Sequence, residues 1–180
     1  QKAKQLAEQN LVGPNNDQYG RYLSFGDIFM VFNNQKKGLE NVTDYHRDLD
    51  ITQAISTTSY AQDGTTFKRE TFSSYPDDVT VTHLSKKGDK TLDFTLWNSL
   101  TEDLLANGDY SWEYSNYKQG AVTTDSNGIL LKGTVKDNGL QFASYLGIKT
   151  DGQVTAQGGY LNVTGASYAT LLLSAKTDYA

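Results

Sequence analysis

Tyr110, Trp112 and Tyr114 are the residues best suited by type and spacing to meet a ligand. They alternate, so in a strand the three rings share one face; flat rings stack on the C–H faces of sugars, while tyrosine hydroxyls bond sugar hydroxyls. These three are the candidate substrate-binding residues. The plainer reading of the same pattern is packing, because alternating aromatics commonly cover a sheet face or an interdomain seam. No catalytic set stands beside them. Acid–base chemistry by a pair of carboxyl groups needs them set across a cleft, one with a raised pKa. Asp44, Asp48 and Asp50 near Arg47, and Asp77-Asp78 after Pro76, qualify by type. A turn or strand edge, where Asp bonds its own backbone or pairs with Arg, accounts for both sets. Arg69 and Glu70 are adjacent on an expected strand and so point to opposite faces.

His46 and His83 are the only histidines, and neither stands in a ligand spacing, so no metal site is expected. His83 continues the face of Val79 and Val81. No nucleophile elbow, phosphate loop or dinucleotide fingerprint occurs, and the glycines sit at turns; no cofactor is expected. With no cysteine there is neither a disulfide framework nor a thiolate ligand, a composition that suits a secreted or cell-surface bacterial protein. The net charge of −5 argues against nucleic acid and anionic lipid, which require a basic stripe. Neutral ligands such as sugars stay open. The first residues lack the apolar run of an export signal, and nowhere does a membrane span appear.

The elements that must position these groups are strands. Twelve tyrosines, abundant Thr, Val and Gly and only two prolines favour an all-β fold, and 180 residues suffice for one domain spanning 1–180. Gln1 to Val12 reads as a short helix stopped by Gly13-Pro14, entered in mid-stride. Ile28–Phe32 is unbroken apolar sequence, expected to be a strand buried on both faces, as is Leu171–Leu173 within 169–175. Asp63-Gly64, Lys87-Gly88-Asp89, Asn127-Gly128, Asn138-Gly139, Asp151-Gly152 and Gly158-Gly159 mark hairpins in series. Between them Leu92, Phe94 and Leu96 share one face, as do Leu140, Phe142, Leu146 and Ile148. The stretch 100–120, with a short helical turn at 102–106, breaks this rhythm. The expected architecture is an antiparallel β-sandwich with a short N-terminal helix.

Four segments resemble family 95 of the glycoside hydrolases, the inverting α-L-fucosidases. They are Tyr22 to Phe32, with Ser24 where that family usually has proline; Asp44-Tyr-His-Arg-Asp-Leu-Asp-Ile-Thr-Gln-Ala54; Ser59-Tyr60 through Asp63-Gly64, Arg69-Glu70 and Phe72 to Pro76-Asp77; and Leu161 to Ala175. Their order and spacing agree over most of the chain, least well across 100–120. The resemblance implies the N-terminal β-sandwich of a larger enzyme, of an incomplete super-sandwich type, with early strands before Gln1 and an (α/α)₆ barrel after residue 180. It implies hydrolysis of terminal α-1,2-linked L-fucose with inversion by groups in the barrel, so no catalytic residue falls within this chain. The implied partners are that barrel and fucosylated glycans. The rival expectation is a carbohydrate-binding module working through the aromatic patch; a purely structural, adhesin-like sandwich is a third.

Overall fold

Strands that alternate apolar and polar residues can each bury one face, so the stable arrangement stacks two sheets. The computed structural model describes residues 1–11, 24–33, 41–101, 118–136 and 138–179, and these form such a sandwich. The helix α1 covers Lys2–Asn10. The strands are β1 (Ile28–Phe32), β2 (Val42–Asp50), β3 (Ile55–Gln62), β4 (Thr65–Ser74), β5 (Val79–Lys87), β6 (Leu92–Asn98), β7 (Lys118–Asp125), β8 (Gly128–Val135), β9 (Gln141–Thr150), β10 (Gln153–Gln157), β11 (Tyr160–Ala166) and β12 (Tyr168–Thr177).

One sheet has the order β1-β6-β11-β10 and the other β2-β3-β4-β5-β12-β9-β8-β7, with every pairing antiparallel. β2 to β5 are a meander, but two of the six expected hairpin turns are not hairpins: Lys87-Gly88-Asp89 leads from β5 to β6 and Asp151-Gly152 from β9 to β10, places where the chain crosses from one sheet to the other. Asp63 and Gly64 both take positive φ (48° and 77°), as do Gly158 and Gly159 (57° and 88°), the backbone of a two-residue turn whose twist suits a hairpin. Asn127-Gly128 differs: the Asp125 carboxylate accepts the amides of Asn127 and Gly128 at 2.7 and 3.1 Å, and Gly128 already lies in β8.

The core lies between the sheets. From the small sheet come Leu92, Phe94 and Leu96 of β6 with Leu161 and Val163 of β11; from the large sheet come Leu84, Ile129, Leu131, Phe142, Leu146 and Leu171. The alternation in β6 is complete, buried and half-buried residues succeeding one another along its length. Each fully buried Phe or Leu contributes about 1.5–3 kcal/mol relative to remaining exposed. Two expectations fail for one reason. Phe29 and Val31 are 43% and 51% exposed and Leu172 is 39% exposed, so neither β1 nor β12 is buried on both faces. With two layers only, every strand keeps an outward side. Helix α1 forms as expected but buries no residue, and Lys4 pairs with Glu8 at 3.8 Å on its surface.

Candidate functional site

Tyr110, Trp112 and Tyr114, the candidate substrate-binding residues, lie outside the described residues, as does the helical turn expected at 102–106. A different aromatic group occupies the outward face of the small sheet. Because Leu92, Phe94 and Leu96 point inward, Trp97 must point outward from β6, and its register partners are Phe29 on β1 and, by the Leu161–Leu96 register, Tyr160 on β11. The Phe29 and Trp97 rings are 5.3 Å apart at 26°, and Trp97 and Tyr160 5.5 Å apart at 47°. Val31 extends the patch, while Thr95 donates its hydroxyl to Asn162 Oδ1 at 2.8 Å beside it.

Rings standing side by side at this spacing cover one another's faces and offer their edges outward. A sugar stacks on an open ring face, so the row is poorly shaped as a glycan platform and well shaped to be covered by another apolar surface. The indole N–H of Trp97 points the same way: it is enclosed and has no hydrogen-bond acceptor among the described residues, whereas buried indoles normally have one. The out-of-phase Trp97, an aromatic on the polar side of an alternating strand, was the signal in the sequence that marks this face.

Asp44, Asp50, Asp77 and Asp78 each take a partner close by. Asp50 accepts the Thr52 hydroxyl at 2.6 Å and the amides of Thr52 and Gln53 at 2.8 and 3.1 Å, which holds its carboxyl below the usual aspartate value. Asp77 accepts the Ser74 hydroxyl, and Asp78 pairs with Lys176 at 2.9 Å. Asp44 accepts the Thr43 hydroxyl at 3.2 Å. These are the turn and edge roles that the residue types suggest, with one difference: Arg47 does not pair with its acidic neighbours. Arg47 faces inward with Arg69, while Asp48 and Glu70 face outward in one row with His83. Glu70 pairs instead with Lys68 at 2.7 Å, and His83 Nδ1 bonds the Thr170 hydroxyl at 2.9 Å. Among the described residues no group of three or more His, Cys, Asp or Glu could hold a metal ion, and no helix is long and apolar enough to cross a membrane.

Comparison with known proteins now bears on this geometry. Alpha-L-fucosidase 2 of Arabidopsis thaliana is 25% identical over 182 residues, covering 88% of this chain and 20% of that protein. A solved structure described as a kojibiose phosphorylase from human microbiome superposes with a TM-score of 0.56 at 14% identity, over 84% of this chain and 22% of its own, a likeness of fold. The chain thus spans about a fifth of the length of the relatives it matches. The resemblance carried by the four segments holds at the level of an N-terminal domain of a glycoside hydrolase with an α-L-fucosidase among its relatives, although the matching family model bears another number. That model covers residues 1–180, and the chain belongs to its family, glycosyl hydrolase family 65, N-terminal domain.

Proposed function

We propose that this domain is the non-catalytic β-sandwich of a glycoside hydrolase that, as a whole, releases terminal α-1,2-linked L-fucose with inversion. Its work is positional: an (α/α)₆ barrel of the same polypeptide, lying beyond residue 180, packs on the outward face of the small sheet. The observation that carries this reading is the apolar row of Phe29, Trp97 and Tyr160 on a face that a free-standing sandwich would keep polar. The relatives support it by length, since four-fifths of each lies outside the matched region, and the fucosidase relative supports the substrate class. An inverting glycosidase needs two carboxyl groups roughly 6.5–9.5 Å apart with water between them. The acids described here are instead engaged in separate turns and ion pairs.

The test incubates 2′-fucosyllactose with the 180-residue chain and, in parallel, with the complete polypeptide, following the released sugar by proton NMR. The complete polypeptide should release fucose first as the inverted β-anomer, and the chain alone should release none. Turnover by the chain alone would place the chemistry inside the sandwich and end this reading. Inert behaviour of the complete polypeptide towards the fucoside would remove the substrate assignment.

A further inference from the structure

The large sheet also has an outward face, on the side of the sandwich away from Phe29, Trp97 and Tyr160. On β9 Phe142, Ser144 and Leu146 are buried, so Ala143, Tyr145, Gly147 and Lys149 point outward. Gly147 is in register with Gly128 on β8 and with Leu172 on β12. Glycine inside a strand weakens it, and it commonly marks a place where another group must come close to the backbone. Here that group is the ring of Tyr145. A Cβ on Gly147 would lie 3.0 Å from Cε1 of the ring, and a Cβ on Gly128 would lie 2.9 Å from Cζ and 2.8 Å from the hydroxyl oxygen. The ring therefore reclines along the sheet from β9 to β8, in the space that the two glycines leave, and both glycines are buried.

Tyr145 differs from the outward rings of the small sheet. No other ring pairs with it and its hydroxyl has no hydrogen-bond partner among the described residues, while 43% of the residue is exposed. Its outer side is open, and Leu172, 39% exposed, extends the apolar surface beside Gly147. Polar groups border it. Ser174 is the register partner of Tyr145 on β12, and two residues back along β9 Ala143 is in register with Lys132 and Lys176. From there a shallow groove of about 780 Å³ runs over Ala121 and Ala143, with Gln119, Lys132, Thr134 and Gln141 along it. Amide and hydroxyl side chains both donate and accept hydrogen bonds, and the Lys132 ammonium has no partner among the described residues.

We propose that Tyr145 and this groove bind a neutral, linear, β-linked oligosaccharide of glucose or galactose units, one sugar stacked on the Tyr145 ring and the next lying over Ala143 and Ala121. In such sugars the C–H bonds at C1, C3 and C5 stand axial on one side, a patch of weakly positive hydrogens that the negative face of an aromatic ring attracts. The equatorial hydroxyls then project sideways towards Ser174 and the glutamines of the groove. Small residues make room for the sugar: the glycines let the ring recline, and the alanines leave the groove floor low. The face looks away from the small sheet, so it stays open when the outer side of that sheet is covered.

The experiment titrates the 180-residue chain with cellotetraose and with lacto-N-neotetraose, following the Tyr145 ring and the amides of Lys132 and Ala143 by NMR. At least one of the two sugars should bind saturably with an affinity of about 1 mM or tighter and shift those signals. Tyr145→Ala should weaken that binding about tenfold, the worth of one stacked ring, while Tyr145→Phe keeps most of it. Gly147→Val, which retains Tyr145 but pushes its ring off the sheet, should weaken it as well, and Phe29→Ala should leave it unchanged; thermal melts establish that each variant is folded. Absence of saturable shifts with both sugars would overturn the proposal. Unchanged affinity in folded Tyr145→Ala, or shifts confined to Phe29, Trp97 and Tyr160, would overturn it as well.

Discussion

Phe29 and Trp97 are register partners on neighbouring strands, and their rings stack 5.3 Å apart on the outward side of the small sheet. On the inward side of the same strands, Met30 and Leu96 are register neighbours facing the core, and Leu96 is fully buried. One strand pair thus has an apolar residue on both sides, which a two-layer domain standing alone has no use for. The inner row holds the sandwich together. The outer row, with Tyr160, is the surface against which a further part of the enzyme is proposed to pack.

The two rows differ in what they contribute to stability. Phe94→Ala empties a fully buried site and should cost about 3–5 kcal/mol. Trp97→Ala removes two ring pairs, together about 1–3 kcal/mol. Phe29→Ala, at a 43% exposed position with one ring pair, should cost about 1 kcal/mol. Urea unfolding of the 180-residue chain measures all three. A loss at Phe29 equal to that at Phe94 would mean that the row is already part of the core.

Two glycines are required for different reasons, and paired substitutions separate them. Gly64 has φ +77° with open space where a Cβ would go, so Gly64→Ala should cost only the left-handed backbone, about 1–2 kcal/mol, and Gly64→Asn noticeably less. At Gly120 a Cβ would run into the carbonyl oxygen of Lys132 and the backbone of Gly133. There Asn should be worse than Ala, because the obstacle is the facing strand and not the dihedral angle. Thermal melts of the four variants give the order directly.

Acid should unfasten the β11–β12 bend. The Asp151 carboxylate accepts the amides of Tyr168 and Ser167, at 3.1 and 2.8 Å, and these bonds hold its pKa below the ordinary aspartate value of 3.8. A carboxyl depressed in the folded state contributes stability above its unfolded pKa and loses that contribution as pH falls through its lower folded one. Melting temperature should therefore fall below about pH 3.8, and Asp151→Asn should flatten that fall while leaving its slope near neutrality unchanged. A pH profile of the melting temperature in both proteins checks the sign.

Much of the fold was legible along the chain because it rests on local rules. The period-2 face of Leu92, Phe94 and Leu96, the Asp63-Gly64 and Gly158-Gly159 turns and the short first helix all follow from residue types at fixed offsets. The insertion of β12 between β5 and β9, and the assignment of β1 to the sheet of β6, depend on contacts among residues far apart in sequence. No local pattern encodes them. Unbroken apolar runs misled for a related reason: Ile28–Phe32 looks like a strand buried on both faces, yet Phe29 and Val31 are open because the sandwich has only two layers. The candidate aromatic trio at 110, 112 and 114 was chosen by spacing alone. The row on Phe29, Trp97 and Tyr160 assembles three residues from three strands, and only Trp97 announces itself, by falling out of phase with its neighbours.

Hydroxyl-radical footprinting of Phe29, Trp97 and Tyr160, in the 180-residue chain and in the complete polypeptide, measures the proposed packing face itself. Oxidation of Phe29 and Tyr160 should fall severalfold in the complete polypeptide, with Tyr75, which is 98% exposed on a turn of the other sheet, as the unprotected reference. Equal oxidation of the row in both forms, with the complete polypeptide folded and active, would contradict the assignment of this face as the seat of the catalytic domain.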